Sequence, residues 1–183
     1  MKRFIYILPV IFLIACDGPE PRRPIRATSG SFISASAQRN KELLNREEKI
    51  IQEIIKNDTL HHYLASASGS WYYYSSINED SDYTPLPDDL VTFKYNLVSL
   101  ENDTIYSMDE IGSIRYKVDK QELFPGLRNS IKLLKVNETA TFLFPSGMAY
   151  GYHGDDNKIG PNIPLKSTIS ILSIDKQKEN IDK

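Results

Sequence analysis

Cysteine, net positive charge and long apolar segments are scarce in this chain of 183 residues. These scarcities bear in turn on disulfide bonds, on nucleic-acid binding and on membrane-spanning helices. The only cysteine is Cys16, so no disulfide can form within the chain. The formal net charge is −2, which leaves no broad basic surface, so nucleic acid is not expected as a partner. The N-terminal apolar run Phe4–Ala15 is too short to cross a bilayer as a permanent helix.

That apolar run belongs to an export pattern. It follows two basic residues, and Leu13-Ile14-Ala15-Cys16 resembles the lipobox of bacterial lipoprotein signal peptides. A small residue before the cysteine suits peptidase access and lipidation of the thiol, and each buried acyl methylene adds about 0.8 kcal/mol of membrane affinity. We therefore predict a signal peptide at residues 1–15 and lipidation of Cys16. The chain is expected in the cell envelope, lipid-anchored to a bacterial membrane and facing the periplasm.

Between the anchor and the folded domain, the composition changes twice. Residues 16–35 contain several prolines, glycines and serines and few large apolar residues, which predicts a flexible tether after the lipidated cysteine. Residues 36–68 form a predicted helical segment, with a helix over Ser36–Asn57. Its apolar residues recur at near-helical spacing: Leu43, Leu44, Ile50, Ile51, Ile54 and Ile55. Two alternatives are open for this stripe, either docking on the protein's own domain or contact with a second copy or a client.

Residues 69–176 have the pattern of an α+β domain, and residues 177–183 form a polar tail. A short helix is predicted after Phe124, since Pro125 donates no N–H and suits a first helical turn. Leu127, Ile131 and Leu134 would share one face of it. Alternating and aromatic runs predict the strands: Trp71–Tyr74, Leu90–Leu100, Thr104–Ser107, Ser113–Val118, Thr139–Phe144 and Thr168–Ile174.

Three segments of this domain carry a resemblance to a known family. They are Glu122-Leu-Phe-Pro-Gly-Leu127, Phe144-Pro-Ser-Gly-Met-Ala-Tyr-Gly151 and Ile163–Ile171. Their order and spacing resemble the C-terminal half of FKBP-type peptidyl-prolyl cis-trans isomerases. The resemblance implies an antiparallel sheet curved around one short helix, and an enzyme that rotates X–Pro bonds in polypeptide clients. That reaction requires no metal and no organic cofactor. Separately, the adjacent residues His61 and His62 cannot easily bind one metal ion together, so no metal site is expected there.

The resemblance also assigns site residues. Tyr95, Phe124 and Tyr150 are the expected catalytic residues, with the Phe124 backbone N–H and the Tyr150 hydroxyl donating to client carbonyls. The expected substrate-binding wall comprises Ile105, Tyr116, Leu123, Leu127, Ile163 and Ile171. Two of the departures from the family pattern bear on activity, because Tyr106 replaces the usual aspartate and Leu127 replaces the tryptophan that often forms the pocket floor. A binding module with little turnover, acting as a scaffold or chaperone, is therefore the alternative to an active isomerase.

Two further features concern the loops and the ends of the chain. The Gly151–Asn162 loop is longer than in small family members, and Asp155 within it is interpreted with its neighbours as a solvated turn residue.

Segments Thr28–Ile33, Arg39–Glu42 and Gly69–Tyr74 resemble the gliding-motility-associated prolyl-isomerase lipoproteins of Bacteroidetes. This narrower resemblance implies a role in folding envelope proteins.

Overall fold

A long helix and an antiparallel sheet make up the computed structural model, which describes residues 29–177. The helices are α1 Ser29–Asn57, α2 Met108–Ile111 and α3 Pro125–Ile131. The strands are β1 Leu64–Ala65, β2 Trp71–Ser76, β3 Leu90–Tyr95, β4 Leu97–Ser99, β5 Thr104–Tyr106, β6 Ile114–Lys117, β7 Thr139–Phe144 and β8 Leu165–Asp175. The chain divides into two compact units, Met1–Ser36 and Ala37–Lys183, and the sheet lies in the second. Within the described range, no helix combines the length and hydropathy needed to cross a bilayer. The predicted α+β class is confirmed.

Strand β8 is the centre of the sheet because it pairs with three other strands. It runs antiparallel to β7 along one edge, and to β3 and β4 along the other. The strand order is β1-β2-β7-β8-β3-β6, with β5 joined to β4. Burial alternates along β8, so that Leu165, Ser167, Ile169 and Ile171 are buried on one face, which is the period of two expected of a strand.

The main core lies between this sheet face and helix α3. Leu127 and Ile131 of α3 are fully buried, and Leu134 just beyond the helix is buried with them. They belong to one cluster with Phe93 of β3 and Phe142 of β7. The face that the sequence predicted for this short helix is therefore the face that it buries.

Helix α1 packs on the opposite face of the sheet. Leu143 lies between two core phenylalanines on β7 and therefore points the other way, where it forms a second buried cluster with Ile51 of α1 and Leu100. Ile54 and Trp71 pack against this cluster. Part of the apolar stripe of α1 thus docks on the protein's own domain, the first of the two alternatives, while Leu44 and Ile50 are exposed.

Several elements differ from the prediction, including β1, which lies in the predicted helical segment, and β8, which begins at Leu165 rather than Thr168. Helix α1 begins at Ser29 rather than Ser36, and no proline lies between Pro24 and Ser36 to prevent this extension of the helical backbone. The predicted strand Leu90–Leu100 is interrupted at Asn96, whose side-chain oxygen accepts the Thr168 N–H at 2.7 Å. Helix α2 was not predicted; the Ser107 side chain caps it by accepting the Glu110 N–H.

Candidate active site

Three aromatic side chains from distant parts of the chain meet at one end of the sheet. Tyr95 ends β3, Phe124 precedes α3, and Tyr150 follows the 3-10 turn after β7. The Phe124 ring centroid lies 6.5 Å from that of Tyr95 and 5.1 Å from that of Tyr150. Phe124 also contacts Phe144 edge-on, at 5.8 Å between centroids. The structure therefore brings together the three residues predicted to be catalytic.

The start of α3 sets the position of Phe124. A residue before proline is kept out of the helical region, and Phe124 has an extended backbone with φ −61° and ψ 148°. Pro125 then occupies the first helical turn. The next residue, Gly126, is buried, and a Cβ built on it would lie 2.7 Å from the Met148 carbonyl oxygen. The absence of a side chain at Gly126 therefore lets α3 approach the segment that carries Tyr150.

A tight backbone turn sets the position of Tyr150. The Ser146 carbonyl oxygen accepts two N–H groups, from Ala149 at 3.0 Å and Gly151 at 2.9 Å. Gly151 has a φ of +60°, a left-handed conformation that glycine adopts without steric strain. Its carbonyl oxygen accepts the Asn162 N–H at 2.7 Å, which closes the base of the long loop.

The donors at this cluster are available to a ligand. Within residues 29–177, neither the Tyr95 nor the Tyr150 hydroxyl forms a hydrogen bond, and the Phe124 N–H has no acceptor there. Burial, and then the neighbouring Tyr95 and Asp155, raise the pKa of Tyr150 well above its ordinary value. Burial, followed by Tyr106, also raises the pKa of Tyr95. Both tyrosines therefore keep their protons, and can donate, at neutral pH.

The predicted wall residues occupy two levels. Tyr116, Leu127 and Ile171 are fully buried and form a floor continuous with the main core. Ile105 and Leu123 are half-buried and pack against that core from the rim. Together they surround the three aromatic residues with apolar side chains.

Ile163 does not join this group. It is 38% exposed and does not pack against the core cluster, whereas Ile159 is only 3% exposed and belongs to it. The backbone before it turns at Asn162, which has a φ of +57°. Ile163 stays a predicted substrate-binding residue at the surface, while the long loop contributes Ile159 to the core.

A polar contact that no sequence pattern predicted holds this loop over β5. The Tyr106 hydroxyl donates to Asp155 at 2.5 Å and accepts from the Asn157 side chain at 2.9 Å. Burial opposes ionisation of Asp155, but hydrogen bonds from Tyr106 and from loop N–H groups hold its pKa below the ordinary value. Asp155 is therefore a structural acceptor, not the solvated turn residue that was expected.

Lys158 adds a second attachment between the loop and the rest of the domain. Its ammonium donates to the Ile105 carbonyl at 3.2 Å and to Glu110 at 2.5 Å, and lies 4.5 Å above the Tyr106 ring. No sequence signal pairs residues this far apart. Only the departure at Tyr106 from the family pattern marked the position as unusual.

The chemistry that this arrangement supports is binding, not bond making. Apolar and aromatic side chains can hold a proline ring, and the free donors can orient flanking carbonyl groups. Among residues 29–177, no three His, Cys, Asp or Glu side chains are grouped so that they could hold a metal ion. Cys16, the predicted lipidation site, lies outside the described residues.

Comparison with known proteins identifies the family. Residues 81–172 match the family model described as FKBP-type peptidyl-prolyl cis-trans isomerase. The chain belongs to this family. The chain is 29% identical over 140 residues to the "probable FKBP-type peptidyl-prolyl cis-trans isomerase FkpA" of Neisseria meningitidis serogroup B. That match covers 76% of this chain and 48% of the relative, so the chain spans about half the length of this curated relative.

Two solved structures show the same fold. A peptidyl-prolyl cis-trans isomerase from Pseudomonas syringae pv. tomato superposes with a TM-score of 0.59 at 15% identity, covering 74% of this chain and 96% of that one. FkpA from Escherichia coli superposes with a TM-score of 0.59 at 19% identity, covering 96% of this chain and 83% of that one. These likenesses confirm the predicted FKBP-like sheet around a short helix.

Proposed function

We propose that the chain catalyses cis-trans isomerisation of X–Pro bonds in polypeptide clients, with Tyr95, Phe124 and Tyr150 as its catalytic residues. One observation carries the proposal: the Tyr95 and Tyr150 rings lie beside the Phe124 ring next to the apolar core, and within residues 29–177 neither hydroxyl nor the Phe124 N–H forms a hydrogen bond. Membership of the FKBP family supports the reaction class. No cofactor takes part in this reaction.

The physical task is to favour a twisted amide. Resonance keeps an X–Pro bond planar and creates a barrier of about 18–20 kcal/mol. In the transition state the carbonyl loses negative charge, so an apolar setting suits the twisted amide better than water does. The aromatic cluster holds the ring and strips water from the bond, and Tyr150 and the Phe124 N–H fix the flanking carbonyls. The rate increase comes from complementarity to the twisted state, without proton transfer.

Replacing Tyr150 with phenylalanine tests the proposal most directly. The ring contact with Phe124 is kept and one neutral hydrogen bond is lost, worth about 0.5–1.5 kcal/mol. We therefore expect kcat/KM to fall by a factor of about 2 to 13 while thermal stability is unchanged. Exchange NMR on a series of X–Pro peptides measures both isomers directly.

Tyr152→Phe is the matched control, since this neighbouring tyrosine is 76% exposed and contacts only His153 by its ring. It should retain full turnover. Equal activity of wild type and Tyr150→Phe would refute Tyr150 as a donor. Wild-type rates equal to the uncatalysed rate on all peptides would instead favour a scaffold or chaperone that binds proline-containing segments. This second function is kept as an alternative because Tyr106 and Leu127 replace the residues that the family usually has at these positions.

We further propose that the protein is lipidated at Cys16 and acts in the bacterial cell envelope, facing the periplasm. The support is the sequence pattern of residues 1–16, a basic start, an apolar run and the lipobox-like Leu13–Cys16. The narrower resemblance to gliding-motility-associated lipoproteins supports clients among motility or secretion proteins of the envelope. Nucleic acid is not among the proposed partners.

Replacing Cys16 with serine should release the protein from membranes. A hydroxyl cannot become the lipidated thiol, so the acyl chains that supply membrane affinity are lost. The measurement is fractionation of cells expressing each form, with mass spectrometry of the purified native protein. Ala15→Gly, which keeps a small residue before the cysteine, is the control and should stay membrane-bound. A Cys16→Ser protein that still sediments with membranes, together with an unlipidated native mass, would exclude the anchor.

A further inference from the structure

A carboxyl group of helix α1 is buried against the segment that carries Tyr150. Glu47 is 4% exposed, although glutamate is rarely buried to this extent without a partner. Its Oε2 accepts the Ser146 backbone N–H at 2.8 Å, in a bond that is itself buried. This contact joins positions 99 apart in the sequence.

The placement of Glu47 is poorly explained by stability alone. Its other oxygen, Oε1, is buried and has no hydrogen-bond partner within the described part of the chain. Burying Oε1 without a partner is unfavourable, although Oε2 supplies the acceptor that the buried Ser146 N–H needs. A residue whose burial lowers the stability of the fold is typical of positions retained for function.

Ser146 links Glu47 directly to the candidate active site. Its N–H is held by Glu47, and its carbonyl oxygen accepts the N–H groups on either side of Tyr150, from Ala149 and Gly151. Glu47 therefore holds one end of the turn whose other end presents the Tyr150 hydroxyl. A cleft of about 290 Å³ opens beside this contact, lined in part by Leu43, Leu44 and Tyr152.

Helix α1 lies before residues 81–172, the part that matches the FKBP family. It is fixed to the sheet by Ile51, which packs on Leu143 in the strand that leads to Ser146. Glu47 thus acts from a rigid element outside the family domain on a turn inside it.

We infer that Glu47 is a positioning residue for Tyr150, so that helix α1 is part of the catalytic unit and not only a connection to the anchor. The inference rests on the proposed function for its effect on turnover. Without the Glu47 acceptor the turn loosens, and the Tyr150 hydroxyl is held less often where it can donate to a client carbonyl.

The test is a double-mutant cycle on the full chain in detergent. Glu47→Ala should lower kcat/KM, by no more than the factor of about 2 to 13 expected when the Tyr150 hydroxyl is removed. In a Tyr150→Phe background, Glu47→Ala should have no further effect, because the group it positions is absent. Glu47→Gln keeps a carbonyl oxygen for the Ser146 N–H and should restore most of the turnover.

Val118→Ala is the control for general loss of stability, because Val118 is buried in the main core and its backbone bonds to Asp88 and Asp89 rather than to the Ser146 turn. Amide hydrogen exchange at Ala149 and Gly151 supplies a readout that does not need turnover. It should accelerate in Glu47→Ala and not in Val118→Ala. Equal fractional losses of activity in both Tyr150 backgrounds, or unchanged exchange at these two amides, would overturn the inference. An inactive wild type whose exchange still responds only to Glu47 would refute the proposed function and leave the positioning role standing.

Discussion

Phe124→Ala is expected to lower kcat/KM by more than the factor of about 13 that is the largest loss expected when the Tyr150 hydroxyl is removed. The Phe124 ring contacts Tyr95, Tyr150 and Phe144, and each aromatic pair is worth about 0.5–1.5 kcal/mol. Its removal opens the wall, admits water to the bound amide and frees both tyrosine rings. The half-buried side chain should also contribute stability, and we expect a loss of about 2 kcal/mol in the free energy of unfolding.

Turnover and urea unfolding must be measured on the same preparations to separate these effects. Phe142→Leu is the matched variant, because Phe142 is fully buried in the core and stacks on Tyr72 and Phe144 without contacting Phe124. It should lose stability while turnover at a temperature where both variants are folded stays near wild type. A parallel loss of turnover in the two variants would mean that Phe124 serves the core and not the client.

Gly126→Ala is expected to destabilise the domain by about 3 kcal/mol, which is a large effect for one methyl group. The new Cβ would lie 2.7 Å from the Met148 carbonyl oxygen and 2.7 Å from the Phe144 ring. A backbone oxygen cannot rotate away, so α3 must move outward, and overpacking of this kind costs about 1–3 kcal/mol. Since Phe124 is the residue immediately before this helix, turnover should fall as well. Chemical denaturation with a matched activity assay measures both.

Gly147→Ala provides the comparison, since a Cβ there would meet no atom within 4 Å. Its free energy of unfolding should stay within about 0.5 kcal/mol of wild type. Helix propensity alone predicts the opposite result for Gly126, a gain of up to about 1 kcal/mol from alanine. A stabilised Gly126→Ala protein would therefore show that the close approach of α3 to the Tyr150 segment does not hold in solution.

Much of the fold was predictable because its signals are local. Strand β7 has the predicted bounds Thr139–Phe144, and α3 begins at Pro125 as predicted. Alternation of apolar residues and the missing proline N–H act within a few residues, so they can be recognised in the sequence. The interruption at Asn96 could not be predicted, because its cause is a hydrogen bond to Thr168 on another strand.

The candidate site was also predictable only in part from the sequence. Tyr95, Phe124 and Tyr150 were assigned from the order of family motifs, and the fold brings their rings together. The contacts of Tyr106 with Asp155 and of Glu47 with Ser146 were missed, since each joins single polar residues 49 and 99 positions apart. No periodicity marks such pairs, and an acidic residue in a loop or on a helix is usually solvated.

The sequence by itself determined the family, the α+β class and the aromatic residues around which the site is built. The tertiary structure decided which isoleucine of the long loop is buried, Ile159 and not Ile163. It also decided that Gly126 cannot carry a side chain and that Glu47 faces the Ser146 turn. The physical reason is the same in each case: close packing and burial of polar atoms depend on what the rest of the chain places nearby, which no local pattern encodes.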